Sequence, residues 1–508
     1  MSRKSSNRSA TGAPDSAAGP RKANSKQQFW GDRLSEAPEM ANIAYCAGRD
    51  VAPRPMADSV LVPFDCWQNR AHARMLQACK IIDRKTLDAI VSAVHQFEIQ
   101  HAAGEYQLRP EKEDVHTNIE HFVTESVGPQ VAGTMHTGRS RNDQTTTVVR
   151  LYVRDRLLKF GVALADLVEA ILDLAEKNLD VPVAGFTHYQ PASITTMGHW
   201  FASWAQALER DLDRIASSYV RLNISPLGAA ASFGTSWPIN REMTAKALGF
   251  REVQANSLDC ITNRWEMEAE AAVAVEFALT HLSIVAQDII MLSSPHVGIL
   301  QIADRYVTGS SIMPQKRNPD FAEVTRAKTS LVQNLTASLF GIARGALSGY
   351  NRDTQWTKYL VMDIFDEVTA APVIFRGVME TMKVDPEKAR QTATSNFVNA
   401  VDVADVLAQE SGLPFRTAYE IASKAVKACE TEGSISTDVV RKLAAEYGGK
   451  KLKLDVGDPA VLAERKIHTG APAKAAVESD IKTLRTAAQQ RLKEWEGEMI
   501  RLKRLQAK

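Results

Sequence analysis

The chain has 508 residues, with 61 basic and 60 acidic side chains and a hydrophobic content of 44%. Its length exceeds that of one ordinary hydrophobic core, since domains average about 150 residues, so we expect a globular protein of several domains. A formal charge of +1 provides no overall field that would attract nucleic acid or an anionic membrane, and neither is an expected partner.

The five cysteines are scattered and form neither a CxxC pair nor a Cys/His spacing typical of metal sites. We therefore expect a reducing compartment and no bound metal. No run of about 18 apolar residues is present to span a bilayer, and the N-terminus lacks the apolar segment of a signal peptide. The sequence indicates a soluble cytoplasmic protein.

Residues 1–26 are rich in Ser, Ala, Gly and basic side chains, and we expect them to be disordered. An Arg-rich, acid-poor start also occurs in organelle transit segments, but this one lacks their amphipathic apolar face. Over 27–138 we expect an N-terminal helical domain, with helices at 64–80 and 84–103 and an irregular, proline-rich connection over 51–63.

The middle of the chain, 139–385, contains long segments that are nearly free of Gly and Pro, and each predicts a long helix. Long helices with broad apolar surfaces need cover on several sides. We therefore expect a central long-helix bundle that shares its faces with the same helices of other subunits. The predicted helices span 145–180, 192–223, 262–294, 320–348 and 353–382.

The segment 262–294 contains no Gly or Pro and would form a helix about 50 Å long at 1.5 Å per residue. Its apolar residues recur at the i, i+4, i+7 spacing of a helix, and Phe277 and Ile284 extend the apolar surface around it. Several acidic residues within the segment exclude a membrane-spanning helix. The apolar stripe consists of Val275, Leu279, Leu282, Ala286 and Ile289.

Residues 386–508 have a shorter and more polar pattern, which predicts a third, C-terminal helical domain. Helices are expected near 386–410, 414–431 and 437–447, followed by a Gly-containing loop and a terminal amphipathic helix. One face of that terminal helix carries Leu492, Trp495, Met499 and Leu502. The pattern as a whole predicts an all-α chain of three domains.

The stretch Gly309–Asp320 interrupts two long helical patterns and brings hydroxyls, an ammonium group and an amide together between two prolines. Such a loop offers backbone N–H groups and a cation to a carboxylate. Its sequence resembles the signature loop of the fumarase/aspartase superfamily, enzymes that eliminate an amine or water from a succinyl group and release fumarate. The form with Gln315 before Lys316 and Asp320 after Pro319 is similar to argininosuccinate lyases.

Three further clusters resemble the same family. In His136–Gln144, two guanidiniums and an amide beside a glycine turn suit a dicarboxylate, because Arg grips a carboxylate with two hydrogen bonds. The resemblance implies that Arg141 and Asn142 contact substrate. In Gly185–Gln190, it implies that Thr187 contacts the succinyl carboxylate and that His188, whose imidazole titrates near neutrality, transfers a proton.

The resemblance further implies that Glu323 orients His188 and that Arg264 lies near the substrate. Taken alone, Glu323 would be an ordinary acidic residue at a helix N-terminus. In the third cluster, Tyr350–Lys358, an amide and an ammonium suit the carboxylate of a second amino acid. The positions of Tyr350, Gln355 and Lys358 contact substrate in the argininosuccinate branch.

Fumarate formation needs a base for the carbon next to a carboxylate, stabilisation of the resulting dianion and an acid for the departing nitrogen. We assign Ser310 as the base, with Lys316 and Asn318 stabilising the intermediate and His188 delivering or relaying the other proton. The resemblance implies an all-α fumarase/aspartase-like fold, a homotetramer with active sites shared between subunits, and no metal or organic cofactor.

The chain departs from the family pattern where the non-succinyl half of the substrate would lie. Tyr45–Gly48 replaces the usual Phe-Asn-x-Ser segment, Trp356 and Thr357 replace customary acids, and Ile194–Thr196 replaces a more aliphatic run. The hypotheses left open are an argininosuccinate lyase, a lyase of another N-substituted aspartate such as ethylenediamine disuccinate, and a non-catalytic structural protein like the lens crystallins of this family.

Overall fold

The computed structural model describes residues 39–47 and 56–508, so the predicted disordered tail lies outside the described residues, as does Gly48. Helices dominate the described chain, and its strands pair only into two-stranded sheets. The prediction of an all-α fold is confirmed. The N-terminal helices are α1 (Met40–Ala47), α2 (Val62–Ala78), α3 (Arg84–Ala102), α4 (Val115–Val127) and α5 (Pro129–Ala132).

The helices predicted at 64–80 and 84–103 are present as α2 and α3. The described part of the predicted irregular connection instead contains a 3-10 helix, Ala57–Leu61, and Pro63 lies in the first turn of α2. Proline is tolerated there because the first N–H groups of a helix have no intrahelical acceptor. Asp83 caps α3 by accepting the N–H of Thr86 at 2.7 Å.

The central region contains the longest helices of the bundle. The segment predicted as one helix over 353–382 is broken at Thr369 and Ala370, because Pro372 begins a new helix. The helix predicted from 192 begins only at Met197. The central helices are α6 (Arg141–Glu176), α7 (Met197–Leu222), α8 (Arg241–Ala247), α9 (Ser257–Thr262), α10 (Arg264–Ser293), α11 (Asp320–Ala343), α12 (Thr357–Val368) and α13 (Ala371–Thr381).

Helix α10 lies at the centre of this bundle and packs against α6, α7, α11 and α12. Its predicted apolar stripe is fully buried, which is worth about 1.5–3 kcal/mol for each large aliphatic side chain. Phe277 and Ile284 remain 44% and 56% exposed on another side of the helix. By length and composition α10 could also cross a membrane, but its neighbours here are helices of the same chain.

The strands pair in three small sheets, and the first of them was not predicted. Antiparallel β1 and β2 form a hairpin over 182–196, where part of a helix was expected. Alternating apolar and small residues there suit a strand rather than a helix face. The strands are β1 (Pro182–Thr187), β2 (Gln190–Thr196), β3 (Ile224–Ser225), β4 (Glu252–Val253), β5 (Leu300–Gln301) and β6 (Lys383–Val384).

The segment 386–508 contributes to two cores. Residues of 398–463 form a separate apolar cluster that also takes in Ala184 and Ile194 of the hairpin. Trp495 and Leu502 of the terminal helix instead pack in the main core, against α6 and α7. The predicted helix 386–410 is divided in two. The C-terminal helices are α14 (Pro386–Ala393), α15 (Ala400–Ser411), α16 (Phe415–Ala428), α17 (Thr437–Glu446), α18 (Pro459–Glu464) and α19 (Lys474–Gln506).

Candidate active site

A cavity of about 540 Å³, which we call the central cavity, opens between the N-terminal helices and the ends of α6, α10 and α12. It brings together half of the residues that the sequence analysis selected. It also has acidic residues and a histidine in its wall that were not selected. The selected residues are Arg141, Asn142, Arg264, Tyr350, Gln355 and Lys358, and the additional ones include Asp58, Glu113, Asp114 and His116.

The first turn of α6 presents Arg141 and Asn142 to the central cavity. Ser140 is the N-cap of the helix and forms a capping box with Asp143. The guanidinium of Arg141 donates to the Thr117 hydroxyl at 2.6 Å and lies 3.6 Å from the carboxylate of Asp114. The helix N-terminus and the guanidinium together favour an anionic ligand at this point.

Asp143 holds this turn against a neighbouring loop. Its buried carboxylate accepts the N–H groups of Ser140 at 2.9 Å, Gly228 at 2.8 Å and Ala230 at 2.9 Å. Burial raises the pKa of Asp143 to about 6, although the three N–H donors act in the opposite direction. The carboxylate is therefore charged at neutral pH, and it fixes the position of the first signature.

Helix α2 carries a buried polar stripe beneath the same signature. The stripe is Asp65, Gln68, Asn69 and His72, residues that share one face of a helix. Asn69 accepts a hydrogen bond from Arg139, and the ring Nε2 of His72 lies 2.8 Å from the Thr137 carbonyl oxygen. These polar residues recur at the i, i+3, i+4, i+7 spacing of one helix face, a sequence signal that could have identified them.

His116 and Asp65 form a buried pair in the wall of the cavity, with Nδ1 and Oδ2 3.1 Å apart. Burial lowers the pKa of His116, but the carboxylates of Asp65, Asp114 and Asp58 together outweigh this effect and raise it above the usual value of 6.5. Burial raises the pKa of Asp65, but His116, Arg139 and Gln144 together have the larger opposite effect, and the pKa lies below its usual value. The ring Nε2 of His116 lies 3.0 Å from the Thr145 hydroxyl.

Lys358 lies in the cavity wall but already has a partner. Its ammonium group donates to Oδ1 of Asp58 at 2.6 Å, and both side chains are buried. The second carboxylate oxygen of Asp58 accepts the N–H of Val115 at 3.1 Å. The pair therefore joins α12 to the N-terminal region, and Lys358 is neutralised before a ligand arrives.

Arg264, the first residue of α10, is a buried cation of the cavity wall that forms no ion pair with another described residue. Its guanidinium lies 6.0 Å from the centre of the Tyr350 ring, and its Nε and Nη2 atoms have no hydrogen-bond partner. Burial lowers its pKa. The Tyr350 hydroxyl lies 3.5 Å from Oε1 of Gln355. These groups present donors to a carboxylate, which a guanidinium binds strongly.

The signature loop lies outside the central cavity and is closed at its base. Backbone hydrogen bonds between Thr308 and Asn318, at 2.8 and 3.1 Å, form an isolated β-bridge. At the loop's start, Oγ of Ser310 accepts the N–H groups of Ile312 at 3.4 Å and Met313 at 3.2 Å. Hydrogen bonds to a hydroxyl oxygen favour its ionised form, so this turn suits Ser310 acting as a base.

The tip of the same loop makes few contacts with its own subunit. Ile312 is 82% exposed, and Lys316 is also exposed. The side-chain amide of Asn318 donates to the Gly309 carbonyl oxygen at 3.3 Å, so it remains at the base of the loop. Glu323 is exposed on the first turn of α11. The loop thus exposes Lys316 at its tip, whereas Ser310 and Asn318 near its base are half-buried.

The hairpin that carries Thr187 and His188 also projects outward. Thr187 pairs with Gln190, so His188 and Tyr189 form a two-residue turn, with φ values of 54° and 60°. Both values are typical of a type I′ turn, for which Asn and Gly are the favoured residues. Side chains other than Gly in this region cost about 1–3 kcal/mol each, and such strain clusters at functional sites.

The hairpin is anchored at its other end. The N–H of Ala184 donates to the Thr392 hydroxyl at 3.1 Å, and the ammonium of Lys466 donates to the Ile194 carbonyl oxygen at 2.6 Å. Lys466 also lies 2.9 Å from the carboxylate of Asp402. These contacts fix the base of the hairpin to the C-terminal helices and leave its tip exposed.

A second cavity, of about 870 Å³, lies between the hairpin, α7 and α10. Thr187 and His188 line it, together with Arg326 of α11, which the sequence analysis did not select. Among the described residues, no ion pair joins His188 to Glu323, its expected partner. The predicted site residues therefore occupy three places on one subunit: the central cavity, the hairpin tip and the signature loop. Within residues 39–47 and 56–508, no three His, Cys, Asp or Glu side chains are arranged to hold a metal ion.

Comparison with protein families gives two matches. Residues 57–334 match the family described as "Lyase", and residues 397–449 match the family described as "Argininosuccinate lyase C-terminal". The first match includes the hairpin tip, the signature loop and the cavity residues up to Arg264, and it ends before Tyr350, Gln355 and Lys358. The second covers part of the C-terminal helices.

Relatives of similar length are argininosuccinate lyases. The enzyme of Hyphomonas neptunium is 38% identical over 416 residues, which cover 82% of this chain and 88% of the relative. That of Burkholderia lata is 41% identical over 376 residues, which cover 74% of this chain and 80% of the relative.

Solved structures of similar fold include those of two lyases. An EDDS lyase in complex with formate has a TM-score of 0.82 and 27% identity, and the alignment covers 94% of this chain and 95% of the other. A fumarate lyase from Mesorhizobium sp. BNC1 has a TM-score of 0.69 and 17% identity, over 85% of this chain and 99% of the other, and shows the fold alone.

Proposed function

The chain belongs to the argininosuccinate lyase family of the fumarase/aspartase superfamily, and from this premise we propose that it cleaves argininosuccinate into fumarate and arginine. The observation that carries the proposal is the turn at Ser310, whose hydroxyl oxygen accepts two backbone N–H groups on the signature loop. A base with a stabilised ionised form is what the reaction requires.

The elimination removes a proton from the carbon next to a carboxylate, breaks the adjacent C–N bond and transfers a proton to the departing nitrogen. Ser310 takes the carbon-bound proton, and the resulting dianionic intermediate is stabilised by Lys316 and Asn318. As the C–N bond breaks, the electron pair of the intermediate forms the double bond of fumarate. His188 delivers or relays the proton to the nitrogen, and Glu323 orients its ring.

The succinyl half of the substrate is held by Arg141, Asn142 and Thr187, and the other half lies toward Arg264 and the third cluster. Tyr350, Gln355 and Lys358 then contact the arginine portion, with Lys358 still bound to Asp58. Arg264 lines this cavity and forms no ion pair with a described residue, which supports an anionic ligand here.

We propose that these three places meet in a homotetramer, with each active site drawing on more than one subunit. The exposed tips of the hairpin and the signature loop support this, because neither contacts the central cavity of its own chain. Phe277 and Ile284 of α10 support it as well, since their exposed apolar surface needs cover.

The exposed face of α11 supports the same assembly. Between 327 and 343 its only charged residue is Lys328, and that side chain turns inward to Glu367 at 2.8 Å. Leu331 and Phe340 are exposed among small and uncharged residues, which allow close approach of another helix. Light scattering is the direct measurement, and an active monomer would contradict the tetramer.

A second candidate substrate class is an aminopolycarboxylate such as ethylenediamine disuccinate. The carboxylates in the cavity wall already face cations of the chain: Asp58 faces Lys358, and Glu113 and Asp114 face Arg141. A substrate guanidinium would have to compete for them, whereas an additional substrate carboxylate would meet Arg264. Trp356, which stands where the family carries an acid, is 59% exposed and makes an edge contact with Tyr359 of the cavity wall.

The test is to follow fumarate absorbance with purified protein on argininosuccinate, adenylosuccinate, aspartate, malate and ethylenediamine disuccinate in parallel. We expect argininosuccinate to give the highest kcat/KM. If ethylenediamine disuccinate is cleaved and argininosuccinate is not, the aminopolycarboxylate becomes the favoured substrate class. The elimination mechanism would be unaffected by that result. Inertness toward all five would favour a non-catalytic structural protein.

We propose the cytoplasm as the location. The described cysteines are unpaired, with Cys66, Cys260 and Cys429 buried, which fits a reducing compartment. The proposed substrate and products are small soluble molecules. Localisation of a tagged chain by fractionation tests this.

A further inference from the structure

Arg141 faces two carboxylates in the wall of the central cavity, and only one of them is fixed in place. Its Nη1 lies 3.6 Å from Oε2 of Glu113 and 3.6 Å from Oδ2 of Asp114. As the N-cap of α4, Asp114 also accepts the N–H of Thr117 at 2.8 Å and its hydroxyl at 2.9 Å. The Glu113 side chain has no hydrogen bond to a described residue and is 80% exposed. Glu113 is therefore the partner of Arg141 that a ligand can displace.

The backbone at Glu113 is strained. Its φ of 61° and ψ of −62° form a γ-turn with positive φ, closed by a hydrogen bond of 2.8 Å from the Asp114 N–H to the Lys112 carbonyl oxygen. The N–H of Glu113 donates to the Pro110 carbonyl oxygen at 3.0 Å. Strained conformations persist where the surroundings impose them, and they cluster at functional sites. This turn places Glu113 in the wall of the central cavity.

The third acid of the cavity wall, Asp58, already has two partners. One oxygen of its carboxylate accepts the Lys358 ammonium at 2.6 Å, and the other accepts the Val115 N–H at 3.1 Å. Both members of this ion pair are buried. Of the three acids that line the cavity in the described part of the chain, Glu113 is thus the one available to a cationic group of a ligand.

We propose that Glu113 is a specificity-determining residue, which leaves Arg141 when a succinyl carboxylate binds there and then accepts the positive charge of the departing nitrogen. The inference rests on the proposed function, because it places the succinyl carboxylate on Arg141. A substrate with both charges exchanges partners with the Arg141–Glu113 pair, so one ion pair is broken and two are formed. A purely anionic ligand breaks the same pair but forms only one, and it leaves Glu113 beside added negative charge.

The covalent structure of argininosuccinate suits this exchange. Its guanidinium nitrogen is bonded to the succinyl carbon that also carries a carboxylate, so the cation and the anion are separated by one carbon atom. A carboxylate on Arg141 therefore brings the guanidinium close to the neighbouring Glu113. The exchange favours substrates with a positively charged departing nitrogen over malate, which loses a hydroxyl group, and over adenylosuccinate, whose departing nitrogen is uncharged.

The count of ion pairs gives different expectations for two ligands. Glu113→Gln removes the competitor for Arg141 and the acceptor for the substrate cation together. Fumarate, a dianion without a positive charge, should then bind more tightly, by up to about fivefold, which is the usual contribution of an exposed ion pair. The KM for argininosuccinate should change by less than about twofold, because the two losses offset each other.

The experiment is calorimetric titration of the intact protein and of Glu113→Gln with fumarate, together with steady-state kinetics of both on argininosuccinate. Glu111→Gln is the matched control, because Glu111 is an exposed acid that does not line the cavity, and it should alter neither constant. Glu113→Gly removes the same carboxylate and accommodates the positive φ, so it should match Glu113→Gln in both constants. In about 1 M salt, which screens exposed charges, the difference in fumarate affinity should shrink.

Unchanged or weaker fumarate binding in Glu113→Gln would overturn the inference, because Glu113 would then not compete for Arg141. A KM for argininosuccinate that falls as far as the fumarate dissociation constant would also overturn it, since Glu113 would then be a competitor and not an acceptor. Neither result affects the proposed function. That function fails instead if the intact protein does not turn over argininosuccinate, and the fumarate titration then shows separately whether Glu113 is displaced.

Discussion

The central cavity differs from the two exposed tips, at the hairpin and at the signature loop, in how many of its side chains are paired with other residues of the same chain. Around the cavity, Lys358 is bound to Asp58 and His116 to Asp65, and each pair is buried. The hairpin tip and the signature loop have exposed side chains and few contacts beyond their own turns. In the hairpin, His188 also carries a strained backbone.

This difference indicates a division of labour in the site. Most groups proposed to bind the substrate line the central cavity, whereas the groups proposed to move protons, together with Thr187, are presented at protruding turns. Preorganised binding groups lower the entropy lost on binding, and the protruding groups are the ones that the proposed assembly would bring to a cavity. The following experiments test both halves of the comparison.

The largest expected effect comes from the exposed loop. Ser310→Ala should leave folding and substrate binding nearly intact and lower kcat by about 10²- to 10⁴-fold, which is typical for loss of a base. Steady-state kinetics on the proposed substrate measure this. The matched control is Ser311→Ala on the adjacent exposed residue, which should have a mild effect; a near-normal rate for Ser310→Ala would show that the loop is wrongly assigned.

Within the cavity, the expected effect is on stability. Lys358→Met leaves the Asp58 carboxylate buried without its partner and should lower the free energy of unfolding by about 3–5 kcal/mol. The double variant Asp58→Asn, Lys358→Met should recover much of this loss. Urea unfolding followed by circular dichroism provides the measurement, and equal stability of the single and double variants would show that the pair is not coupled.

The His116–Asp65 pair makes the same region sensitive to pH. The raised pKa of His116 contributes stability that is complete below pH 6.5 and is lost as the pH rises through the folded-state value. The lowered pKa of Asp65 contributes stability that is present above pH 3.8 and is lost as the pH falls through its folded-state value. Unfolding free energies should therefore decrease above neutrality, and His116→Gln should reduce that decrease.

The smallest expected effect is at the hairpin tip. Tyr189→Gly places a residue that tolerates positive φ at a strained position. We therefore expect the free energy of unfolding to stay the same or to rise by less than about 1 kcal/mol, and the melting temperature to change in the same direction. Tyr419→Gly is the matched control, because Tyr419 is similarly exposed but lies in α16, where Gly costs about 1 kcal/mol. A marked loss of stability in Tyr189→Gly alone would mean that the ring makes essential contacts.

Local sequence patterns predicted the helices well and the breaks between them less well. The apolar stripe of 262–294 is buried as predicted, because helical periodicity alone specifies which residues share a face. The prediction of one helix over 353–382 is wrong, because Pro372 interrupts the helix although the apolar pattern continues on both sides of it. The hairpin at 182–196 was missed because short mixed segments carry little periodic signal.

The sequence by itself determined the chemistry that is available: the loop at Gly309–Asp320, the Arg and Asn at the start of α6, and the family to which they belong. Only the tertiary structure decided how those groups are partnered. Asp58 and Lys358 are separated by 300 residues along the chain and still form a buried ion pair. Glu268 is one of several acids on a long helix, and only the fold shows that it is buried. The physical reason is that periodicity records which side of an element faces the core, whereas charge pairing and pKa depend on which distant element packs against that side.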